Sequence, residues 1–194
     1  MRKFEVTSGK MVLSDPCYEL DTWCQGIIDD VKNGSWGSKV ELFDSGAWGV
    51  RNSMLISMNI DAMKSNPNLE KELISSGNLL NFDGGVDSGQ FGHFDFDNYR
   101  KDDNVIDESL AFDDDYEINV GDKWYRACCY QTLESDDNFG VVPFGAVSSS
   151  GFGDGSYDTY GIKDENNKWV GFITIFISDE DYDDEDYDDE DNDD

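Results

Sequence analysis

The final sixteen residues, DEDYDDEDYDDEDNDD (Asp179–Asp194), hold thirteen carboxylates and neither Lys nor Arg; Tyr182, Tyr187 and Asn192 are the only interruptions. Such a segment has almost no apolar mass to bury, and its like charges drive it into an extended state. Any core must be built from the residues before it. The chain is therefore expected to divide into one globular domain, residues 1–178, and a disordered acidic C-terminal tail, residues 179–194. The material for a core is present: the chain has 194 residues, of which 13% are aromatic, enough for one domain and unlike a wholly disordered chain.

Setting the tail aside does not neutralise the protein. The full chain has 44 acids against 14 bases, a net charge of −30, and the residues before Asp179 retain 31 acids against the same 14 bases, a net of −17. Such a field repels nucleic acid, acidic proteins and anionic membranes, and attracts cations and basic surfaces. No direct nucleic-acid binding and no membrane contact are expected. The longest apolar run, WVGFITIFI (Trp169–Ile177), is strand-sized and well short of the roughly 20 residues of a membrane span. No apolar run follows Arg2-Lys3 as an export signal would require, so a cytoplasmic protein is expected. In that setting Cys17, Cys24, Cys128 and Cys129 are expected as reduced thiols. The adjacent Cys128-Cys129 pair suits neither an ordinary disulfide nor the paired spacing of a zinc site. The tail and the DDDYE stretch are rich in hard oxygen ligands, but the tail lacks the glycine and flanking helices of an EF-hand. No metal and no cofactor are expected.

The pattern along the chain reads as α+β, mainly β: one antiparallel or mixed sheet or sandwich with one or two helices. KFEVTSGKMVLSDP gives two short strands about Ser8-Gly9, stopped at Asp15-Pro16 because proline cannot donate to a ladder. WGSKVELFDSGAWGVRNSMLISM reads as a hairpin turning at Asp44-Ser45-Gly46. NPNLEKELISSG is the clearest helix signal, with Asn66 as cap, Pro67 at the first helical position, a Leu69-Leu73-Ile74 stripe and Gly77 as stop. NLLNFDGGVDSGQFGHFDFD alternates glycine with aromatic residues, which implies tight turns and close backbone approach. RKDDNVIDESLAFDDDYEINVGD reads as a surface excursion. KWYRACCYQTLES fits a helix, with Trp124, Cys128 and Gln131 or Leu133 on one face, and its β-formers also fit a strand. The last two apolar runs read as a hairpin, with WVGFITIFI as a central strand.

Several residue groups could carry chemistry. Asp15, Asp87, Ser88, Ser149, Asp154 and Ser156 all fall at turns beside strands, where a sheet edge could gather them into a ligand pocket. A carboxylate could polarise a serine there, and GFGDG could offer backbone N–H groups to an anion. The same residue types are also ordinary turn formers. His93 is the sole histidine. It lies among Phe91, Phe94 and Phe96, a setting that suits packing better than catalysis, and no G-x-S-x-G elbow accompanies it. Trp23, Trp36, Trp48, Trp124 and Trp169 suit the core, with room for some to anchor an interface.

The acids suggest mimicry of nucleic acid. An extended chain advances about 3.3–3.6 Å per residue and one DNA strand carries a charge about every 3.4 Å, so the tail approaches the linear charge density of a strand. Its tyrosines could stack where bases would. The partner-binding candidates are Asp102, Asp103, Asp113, Asp114, Asp115, Glu117, Asp136 and Asp137 in the body. In the tail they are Asp179, Glu180, Asp181, Asp183, Asp184, Glu185 and Asp186. Against this stands the ordinary role of acidic tails in solubility.

SGKMVLSDPCY, VDSGQFGHFD and SSSGFGDGSYDTYGI…WVGFITIFI, in that order, resemble a family of small proteins of unknown function from bacteria, phages and plasmids. The resemblance runs from about Val6 to Ile177, and GFGDGSY is its most specific piece. It leaves out the tail and DESLAFDDDYE. The family carries no catalytic residues to transfer. It implies a mobile-element setting in a bacterial host, where small inhibitors of host defence are common. By analogy with acidic anti-CRISPR proteins that occupy nucleic-acid channels, the expected function is non-enzymatic inhibition of a basic nucleic-acid-binding protein, such as a CRISPR effector nuclease. The alternatives are a small-ligand binding protein using the Asp15, Asp87 and Asp154 turns, and an immunity protein neutralising a basic nuclease toxin.

Overall fold

Met11 and Leu13 of the run MVLS pack into one apolar cluster and Val12 into another. A strand whose successive side chains enter two different cores must lie inside a layered structure. The computed structural model describes residues 1–105 and 119–178. Its strands are β1 (Arg2–Val6), β2 (Met11–Ser14), β3 (Gly26–Ile28), β4 (Gly34–Asp44), β5 (Val50–Asn59), β6 (Asn78–Leu79), β7 (Gly84–Val86), β8 (Gln90–Asp95), β9 (Phe139–Val142), β10 (Gly145–Ser149), β11 (Gly155–Tyr157), β12 (Thr159–Lys163) and β13 (Trp169–Ile175). The helices are α1 (Ile60–Ser65), α2 (Leu69–Ser76) and α3 (Asp122–Leu133).

One sheet runs β1-β4-β5-β13-β12-β6 and a second runs β3-β2-β8-β10-β9, with β7 and β11 as a separate ribbon. The strand pairs are antiparallel. The two large sheets face each other across a core that includes Phe4, Met11, Leu13, Trp36, Phe91 and Phe172. Trp36 and Phe172 stack with centroids 5.8 Å apart. Burial of each such side chain contributes roughly 1.5–3 kcal/mol. On the outer face of the first sheet, Ile56, Met58 and Ile173 pack against Ala62 of α1 and Leu69 and Leu73 of α2. On the outer face of the second, Val12, Phe94 and Val147 pack against Trp124, Ala127 and Cys128 of α3. The order of layers is helices, sheet, sheet, helix. The chain is thus mainly β, with three α-helices among the described residues rather than one or two.

β13 explains the unbroken run WVGFITIFI. It lies between β5 and β12, its Phe172 faces the sandwich core and its Ile173 faces α2, so neither face meets water. The glycine–aromatic alternation of β8 has a similar cause. A Cβ at Gly92 or at its neighbour Gly145 would overlap the Phe94 ring, and that ring meets Trp124 edge-on at 4.9 Å. The two glycines form the hollow that lets Phe94 lie flat on the sheet beneath α3.

Three local expectations change. Ser8-Gly9 is a crossover, because β1 pairs with β4 while β2 pairs with β3 and β8. α2 begins at Leu69 behind Asn68, so Pro67 precedes the helix. Asn66 ends α1, with its backbone N–H bonded to the Ala62 carbonyl. In α3 the buried position is Thr132, and Leu133 is 75% exposed.

Candidate functional site

Asp15 follows directly on β2, where Pro16 ends the ladder, and its side chain is fully buried. Oδ1 accepts the Cys17 N–H at 2.8 Å and the Ser88 hydroxyl at 2.6 Å. Oδ2 accepts the Asp87 and Ser88 N–H groups at 2.9 and 2.7 Å. Two turns more than seventy residues apart in the chain are thereby fastened to one carboxylate. Around them, the Tyr99 hydroxyl donates to the carbonyls of Asp15 and Tyr18, and Arg100 donates to those of Pro16 and Cys17. Gln25 donates to Ser14 Oγ.

The chemistry of this junction follows from its saturation. Four donors occupy the Asp15 carboxylate, the full capacity of its lone pairs, so it has none left to activate a nucleophile or hold a ligand. The Ser88 hydroxyl proton is committed to it. Burial, reinforced by the negative charge of Asp15 beside it, pushes the Cys17 thiol up to about 12. Burial also raises Cys24 and Cys128. These three therefore remain neutral thiols, poor nucleophiles and poor metal ligands. Among the described residues no group of three or more His, Cys, Asp or Glu side chains could hold a metal ion.

His93 sits on β8 in the middle of the sandwich, fully buried. Nδ1 lies 2.8 Å from Ser57 Oγ and Nε2 lies 3.0 Å from Thr174 Oγ1. Ser57 meets Ser38 at 2.9 Å, Ser38 donates to the Ile56 carbonyl at 2.8 Å, and Thr174 meets Thr159 at 2.8 Å. Ser38 has one proton, and the carbonyl takes it, so Ser57 must donate to Ser38. Ser57 must then accept from His93 Nδ1–H, which leaves Nε2 to accept from Thr174 and Thr174 to accept from Thr159. One direction of donation satisfies every member and fixes the tautomer. Burial holds the imidazole neutral, with its pKa lowered to about 3. His93 ties the two sheets together and is sealed from any substrate.

The remaining candidates are dispersed. Ser149 shares with Ser88 a cleft of about 240 Å³. Asp154 stands exposed on the loop beyond it and Ser156 exposed on β11, and Ser156 borders a different hollow with Asp158 and Ser178. The six turn residues thus do not converge on one pocket. Of the acids, Asp102 accepts the N–H groups of Gly121 and Trp124 at 2.7 and 2.9 Å and caps α3. Asp137 pairs with Arg2 at 3.0 Å. Asp103 and Asp136 are exposed. Asp113, Asp114, Asp115, Glu117, Asp179, Glu180, Asp181, Asp183, Asp184, Glu185 and Asp186 lie outside the described residues.

One feature escaped the sequence reading. The cleft beside Ser149 is bordered by Val50, Arg51, Leu133 and Phe152, and all four are exposed. Trp48, at the tip of the β4–β5 hairpin, is 67% exposed. The available signal was GFG, a phenylalanine held between two turn-forming glycines. Among the described residues no helix is long and apolar enough to cross a membrane. No family model matches the chain, and no curated protein or solved structure is significantly similar to it.

Proposed function

We propose that this protein is a non-enzymatic inhibitor of the anti-CRISPR type, an anionic decoy that occupies the basic groove of a nucleic-acid-binding host protein. The observation that carries the reading is the net charge of −17 in the body alone. Geometry adds to it. Arg2, Lys10, Lys32, Lys39, Lys64 and Lys168 are each already in an ion pair with an acid of the same chain. Asp15 and Asp95 are the carboxylates that are buried among the described residues. Much of the positive charge is therefore neutralised locally, and the surplus acids face solvent. Lysines and arginines of the target meet carboxylates in place of phosphates, and both surfaces release counterions. The filled lone pairs of Asp15 remove the central group from the small-ligand alternative. An immunity protein against a basic nuclease rests on the same charge and differs in sparing all but one cognate nuclease.

The test is capture from host lysate with the full chain and with a truncation ending at Ser178. Both should retain a nucleic-acid-binding protein, the truncation more weakly, and added DNA or RNA should displace it. Affinity should fall steeply as salt rises. A captured protein that holds on equally at low and high salt, or that nucleic acid does not displace, overturns the decoy mechanism.

A further inference from the structure

The end of the sandwich where β13 finishes carries a surface that is apolar as well as acidic. The N–H groups of Phe176 and Ile177 both donate to the Ser53 carbonyl, and both residues pack against Gly151. Phe176 and Ile177, near the end of the described residues, therefore lie beside the GFGDG loop. Gly151 and Gly153 have φ of +56° and +115°, backbone that L side chains rarely adopt, and the turn they make lifts Phe152 to 54% exposure. Phe152 shares its cleft with Val50, Leu133 and Arg51. Around it stand exposed acids: Asp44, the ladder partner of Val50, then Glu134, Asp136 and Asp154.

We propose that this end of the sandwich docks a partner protein whose basic surface carries a protruding apolar side chain, which enters the cleft between Val50, Leu133 and Phe152. The proposal rests on the decoy reading and assigns it a binding surface. An apolar centre within a charged rim is how protein interfaces concentrate their affinity. Charge selects the occupant. A second copy would bring another net −30 against Asp44, Glu134, Asp136 and Asp154, and nucleic acid and anionic lipid are repelled in the same way. A basic protein surface matches the rim of Asp44, Glu134, Asp136 and Asp154. Arg51 makes no ion pair among the described residues, so its guanidinium is available to a carbonyl or carboxylate of that partner.

The test uses two synthetic lysine-rich peptides of equal charge, one with leucine and tryptophan interspersed, the other with serine in their place. The full-length chain should bind the first about tenfold more tightly, the scale of one well-packed apolar anchor. A Phe152→Ser, Leu133→Ser double variant should lose that preference and keep its affinity for the serine peptide. Both positions are exposed, and an unchanged circular dichroism spectrum confirms the fold. Equal binding of the two peptides by the wild type, or a preference that survives in the variant, overturns the cleft while leaving the decoy reading intact. No binding of either peptide at low salt overturns both. A wild-type dimer that the double variant abolishes identifies a second copy as the occupant and overturns the basic partner.

Discussion

Asp15 and Asp95 stand at opposite ends of the β2–β8 pair, and the structure uses them in the same way. Each is fully buried. Asp95 accepts the N–H groups of Thr7 and Ser8 at 2.7 and 2.8 Å, the Ser8 hydroxyl at 2.8 Å and the Asn98 amide at 2.7 Å. Asp15 accepts three N–H groups and the Ser88 hydroxyl. One carboxylate fastens the crossover between the two sheets, and the other fastens the turn into β8. The difference lies in their surroundings. Beside Asp15 are Cys17, Ser88 and the cleft, groups that suggest chemistry; beside Asp95 are only turn residues. A serine hydroxyl against a buried carboxylate is therefore no sign of catalysis here, because the same pair recurs at Ser8 and Asp95, where nothing reactive is near.

If the two carboxylates are equivalent clamps, their removal should cost about the same. Asp15→Ala and Asp95→Ala each remove charge-assisted hydrogen bonds from at least two partly buried N–H donors, at about 1.5–3 kcal/mol apiece, so each variant should lose on the order of 4 kcal/mol. Urea unfolding measures this directly. A large loss for Asp95→Ala with a near-native midpoint for Asp15→Ala would break the equivalence and restore a functional reading of the Asp15 junction.

His93 is a third buried polar centre, distinguished from the two clamps by its lack of charge. In the unfolded chain it takes up a proton below its ordinary pKa of 6.5, whereas in the folded protein it resists protonation until about 3. The unfolded state therefore binds more protons in this window. The stability that His93 allows is complete above pH 6.5 and drains away as pH falls toward 3. Between pH 6.5 and 5 the loss should be about 2 kcal/mol, and His93→Gln should flatten the slope in that interval while lowering stability at neutral pH. A wild-type unfolding midpoint that does not move over the interval would contradict the neutral, singly directed hydrogen-bond chain.

What was legible in the sequence follows the range of the forces involved. β13 announced itself because a strand buried on both faces must be apolar throughout, and the β12–β13 hairpin is local. Asp15, Asp87 and Ser88 were recognisable as turn formers, but their meeting depends on β2 pairing with β8, a contact that no local pattern records. Asp95 was passed over because it ends an aromatic strand instead of sitting in a glycine-rich turn. α1 was missed because its cap, Asn59, is also the last residue of β5, so no polar break precedes it. Helical spacing from Trp124 and Cys128 points to Gln131 or Leu133 as the next position on that face. α3 turns Thr132 inward instead, where its hydroxyl is bonded to Gln90 and to the carbonyls of its own helix.

Asp102 gives the smallest of these effects and the sharpest separation of clamp from surface charge. By sequence it belongs with Asp103 and Asp136 as a carboxylate offered to a basic partner. By structure it resembles a half-exposed Asp15, taking the Gly121 and Trp124 N–H groups at the start of α3, where the helix dipole also favours a negative charge. Asp102→Ala should cost about 1–2 kcal/mol, the scale of a lost helix cap. Asp103→Asn and Asp136→Asn should stay within about 0.5 kcal/mol of wild type. The order should reverse in binding to a lysine-rich peptide, where the exposed pair weaken affinity and Asp102→Ala does not. Thermal unfolding and peptide titration of the three variants decide it. If Asp102→Ala leaves the melting temperature unchanged and weakens the peptide, Asp102 belongs with the surface charges after all.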